Sequence, residues 1–217
     1  MTEAGPAGLL LDVQRRLEAF YGLPAQAPVT EFLIPASAGS DYPGAGSRTL
    51  VTEDAEGLSI GVLLEPAVLE RLALEDPRVR LDDDNLGAFC TATEEVSHFL
   101  YLLFRAGSGR AVTELELELQ AEVDKYLNAV FLLSLQNEGA VSARLRELLF
   151  HRYRLDERVS AERASRYRAA SGLAYRYCGW LESRFLRPAR LAELRAHGRR
   201  FYRFGQREKL ETIASVH

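Results

Sequence analysis

Lysine is almost missing from this chain of 217 residues: of its 27 basic side chains only Lys125 and Lys209 are lysine, and the others are arginine. Cysteine is equally scarce, since Cys90 and Cys178 are the only two and lie far apart without metal-ligand spacing. This excludes a disulfide-stapled fold and predicts two buried free thiols in a reducing compartment. A Walker loop, a Rossmann glycine fingerprint and a nucleophile elbow are also lacking, so no common nucleotide or hydrolase signature is present.

Long hydrophobic runs are lacking as well. The most apolar stretches, 99–104 and 129–135, are far shorter than the roughly 20 residues that a membrane helix needs. The start of the chain lacks the positively charged region of a signal peptide. We therefore expect a cytoplasmic protein that makes no contact with a membrane.

Charge is distributed unevenly along the chain. Residues 1–139 carry 9 basic and 23 acidic side chains, whereas residues 140–217 carry 18 basic and 8 acidic ones. Such a dipolar chain either pairs its own two halves or offers a basic face to an acidic partner.

Hydrophobic periodicity, glycine and proline define the expected elements. The patterns predict a strand over 31–34, a hairpin over 49–64, and helices over 9–21, 66–74, 85–106, 113–136, 140–153, 157–186 and 189–204. The fold class is therefore α+β, with a small antiparallel sheet packed on a helical bundle and a predominantly helical C-terminal half. We divide the chain into an acidic α+β domain, 1–137, and a basic helical extension, 138–217, packed on it.

The sequence Glu94-Glu95-Val-Ser-His98 lies on the apolar, and therefore buried, helix 85–106. On a helix Glu94 and Glu95 are four and three residues from His98, so both can contact it. Glu118 lies on the next helix, where acidic residues recur every four positions. Because buried charges must be paired or bound to a metal, these side chains are expected to converge.

This pattern resembles the minimal gluzincins typified by the ImmA and IrrE peptidases, over roughly residues 48–135. In that family the active helix carries His-Glu-x-x-His and the next helix supplies a glutamate ligand. The resemblance implies that Glu94, His98 and Glu118 occupy the ligand positions and Glu95 that of the general base. Because Glu94 replaces the first histidine, the two-histidine zinc site is lost, and a one-histidine, two-carboxylate set would suit harder metals such as Mn or Fe.

Three interpretations of the acidic cluster remain open from the sequence. The carboxylates and His98 could form a charge network without an ion, could bind a divalent metal (Zn, Mn or Fe), or could hold an arginine from the basic half of the chain. The leading interpretation is a network with no cofactor, on a degraded zincin-like scaffold. The protein would then be a non-enzymatic, bacterial-type regulatory or accessory protein that binds a partner protein or a second copy of itself. The alternative is a peptidase-like, metal-dependent hydrolase.

Two further features indicate other functions. Arg146 and His151 have the Arg-x4-His spacing of HEPN-type ribonucleases, in which the histidine acts as acid or base. The basic residues Arg195, Arg199, Arg200 and Arg203 alternate with aromatic ones near the carboxyl end, a pattern that can bind phosphates or a partner. Nucleic-acid binding through these helices is therefore a third hypothesis, although arginines on a solvated face explain the same pattern.

Overall fold

The computed structural model describes residues 5–35, 46–54, 57–137, 144–151 and 161–216. Within these ranges the chain folds into eight α-helices and one two-stranded antiparallel sheet, which confirms the predicted α+β class. None of the helices in these ranges is both long and apolar enough to cross a membrane.

The amino-terminal part contains the sheet and the first helices. Helix α1 spans Gly5–Tyr21, followed by a 3-10 turn, Val29–Phe32. Strands β1 (Arg48–Asp54) and β2 (Gly57–Leu63) form the predicted hairpin, in which Arg48 pairs with Leu63 and Asp54 with Gly57. Helix α2, Pro66–Leu74, begins at a proline, which is favourable because the first helical N–H needs no intrahelical partner.

Helices α3 and α4 form the centre of the molecule. Helix α3 spans Leu86–Ala106, and α4 spans Glu114–Gln136. Thr113 and Glu116 have the spacing of a capping box, which predicts the start of α4, and the Thr113 hydroxyl caps this helix by accepting a hydrogen bond from the Glu116 amide at 3.2 Å. Glu and Leu alternate at 114–119, a pattern that is also typical of a strand. These residues are helical because both residue types favour helices.

The remaining helices complete the bundle. They are α5 (Leu145–His151), α6 (Ala161–Leu181) with a π-helical continuation at Glu182–Leu186, α7 (Leu191–Arg203) and α8 (Gln206–Ser215). The expected helix 157–186 is thus observed from Ala161 onward, and the residues of 140–153 that the structure describes are helical from Leu145.

One hydrophobic core joins elements from both ends of the chain. Val13 of α1, Phe99 of α3, Val130 of α4, Tyr177 of α6 and Phe201 of α7 all belong to it and are almost completely buried. Helix α6 packs along α4, and α7 packs against α1. The division of the chain at residue 137 remains a prediction.

Two details of the predicted elements are wrong. Residues 31–34 do not form a strand: the chain makes a 3-10 turn and then a single parallel bridge from Leu33 to Val62 of β2. Pro28 before this turn and Pro35 after it leave too few consecutive residues for a full ladder. Helix α8 was not predicted, because its short, charged sequence has little hydrophobic periodicity.

Candidate functional site

The predicted acidic and histidine cluster is brought together between α3 and α4. Glu94 and His98 project from α3 and Glu118 from α4, and one donor atom from each lies within 4.8 Å of the others. His98 Nε2 of α3 lies 3.6 Å from Glu118 Oε2 of α4. The two helices therefore form a cluster of carboxylates and an imidazole that could hold a metal ion.

Lys125 provides a positive charge inside this cluster. Its Nζ donates to Glu94 Oε2 at 2.7 Å and to Glu122 Oε1 at 2.8 Å, and all three side chains are more than nine-tenths buried. Tyr167 of α6 donates to the other oxygen of Glu94 at 3.2 Å. The sequence-based alternative of an arginine from the basic half is wrong for Glu94, because its cation comes from α4 itself.

Glu95 lies on the other side of His98. Its Oε2 accepts a hydrogen bond from the Thr49 hydroxyl of β1 at 2.8 Å and lies 3.7 Å from His98 Nδ1. The hairpin is therefore fixed to the middle of α3 through Glu95. The carboxylate assigned to the general-base position contacts two protein groups in this arrangement.

Burial and neighbouring charges shift the protonation of these groups in opposite directions. For Glu94, burial is the largest single effect and raises the pKa, but Lys125, His98 and the hydrogen bond from Tyr167 together outweigh it, and the pKa falls below its usual value. For Glu95, burial is the largest effect, and the pKa rises. Burial alone lowers the pKa of His98, but the facing carboxylates of Glu118 and Glu95 outweigh it and raise this pKa to about 10.

His98 nevertheless retains one unfilled hydrogen-bonding position. Its Nε2 atom is buried and, among the described residues, has no partner within hydrogen-bond distance. Glu94, His98 and Glu118 offer one nitrogen and two carboxylate ligands. This set suits Mn or Fe, whereas the ligands of structural zinc sites are mostly sulfur or histidine. The donor chemistry is compatible with a divalent ion, but the ammonium of Lys125 already contacts one of the donors.

A second polar cluster, which we did not predict, lies on the opposite face of α4. Asp124 accepts hydrogen bonds from Ser97 of α3 at 2.6 Å, from Gln120 at 2.9 Å and from the Tyr21 hydroxyl of α1. Lys209 of α8 donates to Gln120 Oε1 at 2.5 Å. The four-residue spacing of Glu116, Gln120 and Asp124 was the sequence signal for this polar face, because such residues align on one side of a helix.

A third group of buried polar side chains, around Arg105 and Glu116, joins the two halves of the chain. Arg105 of α3, which is 2% exposed, pairs with Glu116 of α4 at 2.5 Å and donates to the carbonyl oxygen of Phe204. Glu116 also accepts the Tyr101 hydroxyl at 2.5 Å. Its side chain is therefore used between helices instead of completing the predicted capping box with Thr113.

The four carboxyl-terminal arginines have different environments. Arg199 donates to the carbonyl oxygen of Phe20 at 3.2 Å, and Arg203 donates to that of Tyr21 at 3.1 Å. These two side chains thus cap the carboxyl end of α1, where exposed carbonyls favour cations. Arg195 and Arg200 are exposed on α7.

Of the predicted ribonuclease pair, Arg146 and His151, the structure describes only the side chain of Arg146. The Arg146 guanidinium lies 3.5 Å from Glu182 and stacks over the Tyr175 ring, with 4.2 Å from its central carbon to the ring centre. The side chain of His151 lies outside the described residues. Another acidic group, formed by Glu75, Asp82 and Asp84, is close enough to share an ion but is largely exposed, as acidic residues commonly are.

Comparisons with known proteins provide no relative for this site. No protein-family model, curated protein or solved structure matches the chain.

Proposed function

We propose that this chain is a non-catalytic binding protein on a zincin-like scaffold, in which protein cations take the place of a metal ion. The observation that carries the proposal is the position of Lys125, whose ammonium contacts Glu94, the residue at the first ligand position. A lysine and a protonated histidine together supply two positive charges to the four buried or partly buried carboxylates of Glu94, Glu95, Glu118 and Glu122.

The chemistry of Glu94 supports this proposal. A divalent ion bound to Glu94 would lie close to the Lys125 ammonium, and like charges only a few ångströms apart repel strongly in a buried site. Moving the ammonium away would instead leave Glu122 without its salt bridge, which is costly for a buried carboxylate. The ammonium and a metal ion therefore compete for the same carboxylate.

The state of Glu95 supports it further. A general base needs an oxygen within hydrogen-bond reach of the water that it deprotonates. Glu95 Oε2 is hydrogen-bonded to Thr49 and faces His98, so this side chain connects β1 to α3. In the proposal these side chains stabilise the scaffold, and the exposed arginines Arg195 and Arg200 contribute to binding an acidic partner protein.

Chelation and metal addition test the first part of the proposal. The melting temperature is expected to be the same with EDTA, with Zn²⁺ and with Mn²⁺, since a ligand stabilises only a fold that binds it. A melting temperature that rises with the concentration of one of these ions would contradict the proposal.

The oligomeric state tests one partner directly. A second copy of the chain would offer its own acidic half to Arg195 and Arg200. Light scattering would reveal such a dimer, and Arg195→Glu with Arg200→Glu should dissociate it. An unchanged dimer in that variant would exclude these arginines from the contact, and a monomeric wild-type protein would leave a different, acidic protein as the proposed partner.

A metal-dependent hydrolase is the second candidate, favoured by the open Nε2 position of His98 and by the three donors within 4.8 Å. Glu94, His98 and Glu118 would hold the ion, which would lower the pKa of a bound water. Glu95 would accept the proton from that water. If hydrolysis is found, Glu95→Gln should abolish it and leave the metal content unchanged; a loss of both would point to a structural effect instead.

A further inference from the structure

Helix α8 is attached to the rest of the protein by few contacts. Of its ten residues, only Lys209 and Ile213 are buried. Its amino-terminal end is fixed by Glu116 of α4, whose Oε2 accepts the backbone N–H of Gln206 at 2.9 Å. The docking of α8 therefore depends strongly on one apolar and one ionisable side chain.

Lys209 is enclosed in an unusual environment for an amine. It is completely buried, and its Nζ donates to the neutral amide oxygen of Gln120 at 2.5 Å. The same nitrogen lies 4.5 Å from the ring centre of Tyr101 and 4.9 Å from that of Phe201. Among the described residues no carboxylate lies within ion-pair distance of Lys209, in contrast to Lys125, which has two.

The charged groups that face Lys209 do not offset this burial. Glu116 and Asp124 of α4 favour its protonated form, as do the ring faces of Tyr101 and Phe201, whereas Arg105 of α3 opposes it. Burial is the largest effect and lowers the pKa of Lys209 to about 7. An exposed lysine has a pKa near 10.4, so the docked position favours the neutral amine.

Lys209 is also linked to the acidic and histidine cluster. Gln120, its acceptor, donates in turn to Asp124 at 2.9 Å, and Asp124 accepts the hydroxyl of Ser97, the neighbour of His98 on α3. This chain of hydrogen bonds crosses α4 from α8 to α3. A change in the position of Lys209 therefore alters the contacts of a residue beside the candidate site.

We propose that α8 is a proton-controlled strap, which is docked when the buried amine of Lys209 is neutral and is released more readily when that amine is protonated. The proposal rests on the burial of Lys209, on its neutral acceptor and on the small number of buried residues in α8. It does not depend on the proposed function, and its failure would leave that proposal unchanged.

The direction of the pH effect follows from the two protonation states. The released helix holds a proton on Lys209 up to about pH 10, whereas the docked helix loses it near pH 7. Release therefore takes up a proton between these values, and docking becomes more favourable as the pH rises through this window. The released fraction should fall by about tenfold for each pH unit above about 7.

The presence of only two lysines makes the titration directly measurable. In carbon-13 NMR of the wild-type protein, one of two lysine Cε signals should titrate near pH 7 and disappear in Lys209→Met. A Lys209 signal that titrates above pH 10 while α8 is docked would overturn the proposal, whether or not any variant folds.

Amide hydrogen exchange then tests the release of α8. After correction for the intrinsic rate, protection of the α8 amides in the wild-type protein should rise about fiftyfold from pH 7 to pH 9. Lys209→Met should be protected at both values. Arg207→Met is the matched control, because it removes a positive charge from an exposed position of the same helix and should keep the wild-type pH dependence. Equal pH dependence in wild type and Lys209→Met would refute the strap.

Discussion

The Nζ atom of Lys125 lies 2.7 Å from Oε2 of Glu94, and both side chains are buried between α3 and α4. In the resemblance to metallopeptidases, Glu94 takes the position of the first metal ligand. Its contact with an ammonium group is the central feature of the proposed metal-independent network.

Removal of the Lys125 ammonium should destabilise the protein strongly. Lys125→Met leaves Glu94 and Glu122 buried without their shared cation, and breaking such a pair costs about 3–5 kcal/mol. Urea unfolding measures this loss. Arg71→Met, which breaks the exposed pair with Glu75, should cost no more than about 1 kcal/mol. Similar losses in both variants would show that the buried ammonium has no special role.

Metal binding should be created by two substitutions. Glu94→His adds a second imidazole next to His98 and Glu118, and Lys125→Met removes the competing charge. We expect the double variant to bind Zn²⁺ at least about tenfold more tightly than Glu94→His alone, because the ammonium repels the ion. Isothermal titration calorimetry measures both affinities. Adding Glu118→Gln should abolish the binding, and zinc binding that survives it would place the ion elsewhere.

Asp124 should make stability decrease with rising pH in the acidic range. Burial raises the pKa of Asp124 from its usual value of 3.8 to about 6, so the folded state holds this proton more tightly than the unfolded state. The contribution is fully present below pH 3.8 and is lost as the pH rises to about 6, by roughly 3 kcal/mol in total. Unfolding of wild type and Asp124→Asn at several pH values isolates it, with the exposed Asp83→Asn as control. A constant difference between wild type and Asp124→Asn would contradict this prediction.

Two glycines in helices should respond oppositely to alanine. A Cβ at Gly198 of α7 would lie 2.6 Å from Cε1 of Phe20 in α1, so Gly198→Ala should cost about 1–3 kcal/mol through overpacking. A Cβ at Gly172 of α6 meets nothing within 4 Å, and Gly172→Ala should add about 0.5–1 kcal/mol through lower chain entropy. Thermal unfolding of both variants checks the packing of α7 on α1; equal shifts would refute it.

The sequence was sufficient to predict the elements with strong periodicity or clear end signals. The hairpin, α3 and α4 follow from β-branched alternation, from an all-apolar segment and from the cap at Thr113. The convergence of Glu94, His98 and Glu118 followed from helical spacing on α3 and from the resemblance, which placed the third residue on the next helix.

The partners of these residues could not be predicted in the same way, because they depend on how helices pack. Lys125 was visible as the only lysine of the acidic half, but nothing in its spacing distinguished a contact with Glu94 from exposure to solvent. The burial of Lys209 was still harder to predict from the sequence, since a lysine on a short polar helix is normally exposed. Arg199 and Arg203 belong to the basic and aromatic pattern seen in the sequence. Their contacts with the end of α1 could not be predicted from it, because they join residues about 180 positions apart.

Metal content is the most direct test of the proposed network. Protein purified without chelators and without a metal-affinity tag can be analysed for Zn, Mn and Fe by elemental mass spectrometry. Because Lys125 and His98 supply the positive charge around Glu94, we predict far less than one such ion per chain. A content of about one ion per chain that is lost in Glu118→Gln would contradict the account and support the hydrolase instead.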